Sequence, residues 1–302
     1  MSEGREPLSE VVAAAFEPVG KAVQALGESA NWSPVEGSPA DRESKLTTAR
    51  WDKQVLRERR GPVELLSATA ITRIVFIGDC LRSIATLARS PGRRPRVDFA
   101  SLVAGRATLE AAAFLYWLVE PGIDSGERVR RLAVDVVHDL RMKKSTLDRL
   151  STVHADISGD IETVEDLLTL YEVPFQPGDS HGELRDPPKL DGPRMPRVID
   201  VLEPLMPSKD HPELGTVIYY LLSNFAHASV QGLVGSAGTI AGDGGGGMQI
   251  SFSREQALAT LAPSLWCLPT PIGAVLDYYG WEQDGFRETF AASAERLADW
   301  HE

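Results

Sequence analysis

Apolar and polar residues follow one another along the chain with the spacing of α-helices. Between breaks rich in glycine and proline, apolar residues recur every three or four positions, which is the pattern of helices that bury one face. Five long segments carry this pattern, and a short extended piece is expected only at 248–252. The five core helices are predicted near 63–89, 97–120, 126–155, 212–234 and 254–279. We therefore predict an all-α protein, a multi-helix bundle with peripheral terminal helices.

Prolines and glycines indicate how the chain is divided. We predict N-terminal helices and a linker over residues 1–60, followed by a helical bundle domain over 61–302. Two loops are expected inside that domain. The segment 174–196 is rich in proline and is predicted to be a surface loop, and the glycine-rich segment 235–247 is predicted to be flexible.

The helix predicted at 212–234 differs from the others because it carries no charged residue after Glu213. The forty residues 214–253 contain one charged side chain, Asp243, in a chain of which 25% is Asp, Glu, Lys or Arg. Uncharged polar residues recur on this helix at spacings of four, three and four, which places them on one face. They are Tyr220, Asn224, His227 and Gln231. A solvent-facing side normally carries Lys and Glu, so this polar stripe predicts a face toward a crevice, a partner or a polar network.

Composition narrows the classes of function. The net charge of −12 and a pI near 5.1 argue against a general nucleic-acid coat or a binder of anionic membranes. Cys80 and Cys267 both lie in apolar helical stretches, which is typical of reduced core thiols. The N-terminal residues lack the layout of a signal peptide, and the best membrane candidate, 65–87, is interrupted by charged residues. We therefore predict a soluble cytoplasmic chain with no membrane partner.

Two groups of residues are candidates for chemistry. Arg106 and Glu110 lie four apart on the helix 97–120, which is otherwise apolar around Glu110; such a pair is either a structural ion pair or part of a site. His227 suits a general base, a metal ligand or a hydrogen-bonded core histidine. Nothing else on its helix completes a metal shell, so we predict no metal site and no cofactor.

The helix 126–155 offers weaker candidates. Asp135 and His138 have the spacing of half a carboxylate-bridged di-metal site, but the periodicity places His138 on the solvent side. A run of basic residues on the same helix suits contact with phosphates, and we interpret it as a solvated face interleaved with Asp135 and Asp139. The run comprises Arg128, Arg130, Arg131, Arg141, Lys143 and Lys144.

Two sequence blocks resemble a known family. The helix around Arg106-x-x-x-Glu110 is followed by a later helix with Tyr219-x-x-x-Ser223-x-x-x-His227. This combination is similar to a family of uncharacterised bacterial all-helical proteins whose fold is distantly like the HEPN bundles. The resemblance implies a bundle that brings Arg106, Glu110, Ser223 and His227 near one another, with no established reaction. Two matches to the Arg-x4–6-His motif of HEPN ribonucleases, Arg131 with His138 and Arg149 with His154, are as many as chance would give.

Three hypotheses of function follow, and whether the protein is an enzyme stays open. We favour a non-enzymatic interaction module that self-associates as a homodimer through the uncharged helix. The second hypothesis is a HEPN-like protein of a toxin, defence or stress system that acts on RNA, with His227 as base or acid, Arg106 stabilising charge and Glu110 orienting it. The third is a small-molecule or metal site lined by Tyr220, Asn224, His227 and Glu110.

Overall fold

The computed structural model describes residues 7–28, 32–50, 61–89, 99–149, 157–181, 184–192, 194–206, 213–226, 237–239, 248–250 and 254–299. Helices account for most of these residues, which confirms the predicted all-α bundle. They are α1 (Leu8–Glu28), α2 (Pro39–Arg50), α3 (Pro62–Arg89), α4 (Phe99–Val119), α5 (Ser125–Arg149), α6 (Ser158–Leu170), α7 (Val198–Leu205), α8 (Leu214–Ala226), α9 (Arg254–Trp266), α10 (Pro269–Tyr279) and α11 (Asp284–Asp299).

Short antiparallel strands lie where the sequence predicts loops. In the proline-rich segment, β1 (Phe175–Gln176) pairs with β4 (Lys189–Leu190), and β2 (Ser180–His181) pairs with β3 (Leu184–Arg185) inside it. In the glycine-rich region, β5 (Ala237–Thr239) pairs with β6 (Met248–Ile250). Strand β6 falls in the extended piece that the sequence predicts at 248–252. Strands of two or three residues are too short to show the alternation of apolar and polar residues by which a strand is recognised in a sequence. They are identified only by their hydrogen-bonded pairing in the structure.

The chain divides into two compact units, each built from separated stretches. The first comprises Met1–Asp41, Ser67–Val119 and Val198–Glu302, and the second comprises Arg42–Leu66 and Glu120–Arg197. Both α2 and α3 begin in one unit and end in the other. Because each unit is built from separated stretches, no single linker in the sequence marks the boundary between them.

Helix α4 forms the centre of the first unit. It packs against α7, α8, α9 and α10, and its apolar residues are buried on several sides. Arg106 and Glu110 are its only charged residues. A helix surrounded by neighbours must be apolar around most of its circumference, which explains the sequence of α4. The stretch Ala100–Val119 is also long and apolar enough to span a membrane, as is Leu258–Tyr279, but 61% and 72% of these stretches lie inside the protein, so they are weak evidence for a membrane span.

Helices α1 and α3 approach each other closely at glycines. A Cβ atom at Gly27 would lie 2.6 Å from Cγ2 of Val75, and one at Gly78 would lie 3.0 Å from the backbone nitrogen of Gln24. Because only glycine lacks a Cβ, these positions allow the two backbones to pack closely. The buried face of α1 therefore belongs to the core of the first unit.

Helix α6, in the second unit, ends in an unusual residue. The Val173 N–H donates to the Leu168 carbonyl at 2.9 Å and the Glu172 N–H to the Thr169 carbonyl at 3.1 Å, which is the Schellman pattern. This motif needs a left-handed residue, usually glycine, and here Glu172 holds it with φ 55°. A residue with a Cβ in this conformation costs about 1 kcal/mol or more. Among the described residues, Glu172 is the one non-glycine with positive φ.

Candidate functional site

Arg106 and Glu110 form an ion pair on the face of α4 that meets α8. Arg106 Nη2 lies 2.8 Å from Glu110 Oε1, and both side chains are partly buried. The four-residue spacing on a helix brings these side chains together, as the sequence predicts. The remaining exposure of the pair is limited because α8 packs against α4 at this point.

Tyr219 from α8 completes this pair into a cluster of three. Its hydroxyl donates to Glu110 Oε1 at 2.8 Å and accepts from Arg106 Nη2 at 3.3 Å. The guanidinium carbon of Arg106 also lies 5.5 Å from the centre of the Tyr219 ring, within the range of a cation–π contact. We call these three residues the Arg–Glu–Tyr cluster. It joins two helices that are more than a hundred positions apart in sequence.

The protonation of the cluster follows from its burial and its bonds. Burial raises the pKa of Tyr219 above its ordinary value; the hydrogen bond from Arg106 opposes this rise and the bond to Glu110 adds to it. Burial by itself would lower the pKa of Arg106, but the bonds to Tyr219 and Glu110 outweigh it, so the pKa of Arg106 is raised. At neutral pH Tyr219 therefore keeps its proton and Arg106 its charge. Proton transfer is most efficient when the pKa lies near the working pH, so this arrangement suits positioning of α8 better than acid–base chemistry.

Ser223 lies one helical turn after Tyr219, on the same side of α8. Its Oγ is buried and, within the described part of the chain, has no hydrogen-bond partner. The structure thus places Arg106 and Glu110 in contact and puts Ser223 one turn from their partner Tyr219. His227, the fourth residue that the resemblance implies for this place, lies outside the described residues, and its role stays a prediction.

The other side of α8 faces solvent. Val217 is 55% exposed, Tyr220 55% and Leu221 39%, whereas Ile218 and Leu222 are buried. Positions 217, 220 and 221 lie on one side of a helix, and we call them the outer face of α8. Of the polar stripe predicted from the sequence, Tyr220 belongs to this outer face, Asn224 is half-buried, and Gln231, like His227, lies outside the described residues.

Tyr219 is the site residue that the polar stripe left out. Counting uncharged polar residues along the helix selects Tyr220, its neighbour, and the two tyrosines point to different sides. The signal that finds Tyr219 is the Tyr-x-x-x-Ser spacing, because Tyr219 and Ser223 share one side of the helix. A tyrosine hydroxyl that is removed from solvent needs a hydrogen-bond partner, and the partly buried ion pair on α4 supplies it.

The basic run on α5 is only in part the solvated face that the sequence predicts, because Arg130, Arg141 and Lys143 are exposed but other members of the run are not. Arg128 is almost completely buried, and its Nε lies 3.2 Å from Glu43 Oε1. Asp135, expected among solvated residues, is also buried. An ion pair with a carboxylate far away in sequence makes the burial of Arg128 tolerable, and periodicity alone does not reveal it.

Arg131 is partly buried, with 14% of its side chain exposed. Its Nη1 lies 2.6 Å from Glu120 Oε2 and its Nε 3.0 Å from Glu127 Oε1. His138 is exposed, as the periodicity predicts, so it does not line a di-metal site with the buried Asp135. His154, from the second Arg–His match, lies outside the described residues. Among the described residues, no group of three or more His, Cys, Asp or Glu side chains has the arrangement of a metal site.

Comparisons of the chain with protein families, with curated proteins and with solved structures found no match.

Proposed function

We propose that this protein is a helical interaction module that self-associates through the outer face of α8. The observation that carries the proposal is the exposure of Val217, Tyr220 and Leu221 on neighbouring turns of one helix. Single exposed apolar residues are common on protein surfaces, whereas large contiguous apolar patches mark interaction sites. Covering such surface is favourable by about 25 cal/mol for each Å².

The composition of α8 supports an interface. No charged residue occurs between Leu214 and Ala226. The cores of protein–protein interfaces are poor in charged residues and rich in aromatic ones, and Tyr220 supplies an aromatic ring at the centre of the outer face. A helix side in permanent contact with water would instead carry Lys and Glu, as the exposed sides of other helices in this chain do.

The absence of charge on the outer face of α8 is compatible with a second copy as the partner. Each copy carries a net charge of −12, so two copies that approach through charged surfaces bring carboxylates together. The outer face of α8 carries no charge, so contact between the outer faces of two copies brings no like charges together. A two-fold axis through this face would place each copy's tyrosine and aliphatic side chains against those of the other, as in other isologous dimers. Salt at physiological concentration screens the repulsion that remains.

The Arg–Glu–Tyr cluster has a supporting part in this proposal. It fixes Tyr219, the residue next to Tyr220, through bonds to both Arg106 and Glu110. The rings of Tyr219 and Tyr220 contact each other edge to face at 6.3 Å. The contacts of Tyr219 with α4 therefore fix the helical turn that carries the outer face. Because side chains that are already ordered lose less conformational entropy on association, this arrangement favours binding.

The proposal is tested by sedimentation velocity over a concentration series of the full chain. We expect the wild type to form dimers, and Leu221→Glu to raise the dissociation constant by roughly tenfold or more. Glutamate is a good helix former and Leu221 is exposed, so this variant should keep its circular dichroism spectrum. Met142→Glu is the matched control, because Met142 is 56% exposed on a different helix and should leave the dissociation constant unchanged. A wild type that stays monomeric throughout the series would reject self-association.

A further inference from the structure

A pocket in the second unit is separate from the cluster on α4 and α8. Its volume is about 320 Å³, within the range of small-molecule sites. It lies where the first turn of α5, the end of α6, α2 and the start of α3 meet. The residues that line it include apolar side chains and charged side chains of both signs, so its walls combine hydrophobic and electrostatic recognition.

The apolar wall suits an aliphatic group. Leu46, Val129 and Leu170 line it, from α2, α5 and α6 respectively. Leu46 is 63% exposed, which is unusual for a leucine that borders a concave surface. A ligand with a short branched hydrocarbon group would cover this exposed surface and gain the free energy of its burial.

Two of the three charged side chains at the pocket, Arg130 and Glu43, are held in place by neighbouring residues. Arg130 Nη1 lies 3.0 Å from Glu127 Oε2, and Glu43 Oε1 lies 3.2 Å from Arg128 Nε. An arginine has five N–H donors, so the ion pair with Glu127 does not exhaust the donors of Arg130. These pairs orient the side chains before a ligand arrives, which reduces the entropy that binding must overcome.

Glu172 brings a second carboxylate to the pocket in a strained position. It lines the pocket and occupies the left-handed position of the Schellman motif with φ 55°. Glycine would end α6 at lower energetic cost, so this position carries a carboxylate at the expense of backbone strain. Backbone strain of this kind persists at ligand sites where the side chain has a use.

We propose that this pocket binds a small zwitterion with an aliphatic side chain, that is, an aliphatic α-amino acid. Arg130 receives its carboxylate, and Glu172 together with Glu43 receives its ammonium group. The hydrocarbon chain lies against Leu46, Val129 and Leu170. A simple anion would meet two carboxylates here and a simple cation would meet Arg130, whereas a ligand with both charges can satisfy both signs.

The test uses calorimetric titration of the full chain with L-leucine and with two analogues that each lack one charge. We expect L-leucine to bind saturably, and 3-methylbutylamine and 4-methylpentanoate to bind roughly tenfold more weakly or worse, since each forfeits a charged hydrogen bond. Saturable binding of either analogue as tightly as L-leucine would overturn the zwitterion assignment. An absence of L-leucine binding to the folded wild type would overturn the site itself.

Two variants connect the binding to this pocket. Glu172→Gly removes the carboxylate and relieves the backbone strain. We expect this variant to bind L-leucine roughly tenfold more weakly and to melt at a temperature no lower than that of the wild type. Weaker binding without a loss of stability would show that Glu172 contributes to recognition and not to folding. Arg130→Gln should weaken binding to a similar extent. Glu162→Gln is the control. Glu162 is exposed on α6 and does not line the pocket, so this variant should bind L-leucine like the wild type. Unchanged affinity in both pocket variants would place L-leucine elsewhere and overturn the proposal.

Discussion

Helices α6 and α10 end in the same backbone motif but with different residues at its left-handed position. In α10, the Trp281 N–H donates to the Leu276 carbonyl at 2.8 Å and the Gly280 N–H to the Asp277 carbonyl at 3.2 Å. These are the same two bonds that Val173 and Glu172 make at the end of α6. Gly280 has φ 74° and Glu172 has φ 55°. In both motifs a buried tyrosine, Tyr279 or Tyr171, precedes the left-handed residue.

The surroundings explain why one motif has glycine and the other does not. A Cβ at Gly280 would lie 3.0 Å from the Cβ atoms of both Ser38 and Val35, because the segment before α2 crosses this helix end. At Glu172 the motif instead borders the pocket, where a side chain has room. The same backbone conformation therefore requires glycine where another segment closes over it, and it tolerates a strained glutamate where it is open.

The largest effect is expected for Gly280→Ala. The new methyl group would combine left-handed strain of about 1–2 kcal/mol with overpacking of about 1–3 kcal/mol against Ser38 and Val35. Gly122→Ala is the matched control, since Gly122 has φ 87° and open space around it, so only the strain should remain. Thermal and urea unfolding of both variants measures the difference. Equal destabilisation of the two would mean that crowding does not determine the glycine at 280.

A smaller effect of opposite sign is expected for Glu172→Gly. Glycine removes the left-handed strain but makes the unfolded chain more flexible, so the net gain in the free energy of unfolding should be about 0.5–1 kcal/mol. The same replacement at Glu162, in the interior of α6, should instead destabilise by about 1 kcal/mol. Urea unfolding distinguishes the two signs. A loss of stability at Glu172 would show that this side chain supports the fold rather than a ligand.

The smallest effect concerns the tyrosine before the motif. Burial, with a smaller contribution from Glu64, raises the pKa of Tyr171 well above its ordinary value. The folded state then keeps this proton at a pH where the unfolded state loses it, so the stabilisation is complete below pH ~10 and is lost as pH rises further. At pH ~10 the loss from this group is about 0.4 kcal/mol, and it grows with pH. Tyr171→Phe should make the alkaline decline of unfolding free energy shallower; an unchanged slope would contradict the assignment.

The sequence was sufficient to predict the helices and the contact between Arg106 and Glu110 within the Arg–Glu–Tyr cluster. Periodicity located the core helices because burial of one face repeats along the chain, and the spacing of Arg106 and Glu110 fixed their contact within a single helix. It did not identify Tyr219 as their partner, since that contact joins helices distant in sequence. The burial of Arg128 was hidden for the same reason, because its partner Glu43 lies 85 positions away.

What the sequence determined by itself was therefore local: an all-α chain, the absence of charge on α8 and the ion pair within α4. Only the tertiary structure decided which side of α8 meets α4, because a helix that is apolar around most of its circumference can pack on several sides with similar local energy. The choice follows from the bonds of Tyr219 to Arg106 and Glu110, which exist in one orientation of α8 and leave Val217, Tyr220 and Leu221 facing outward.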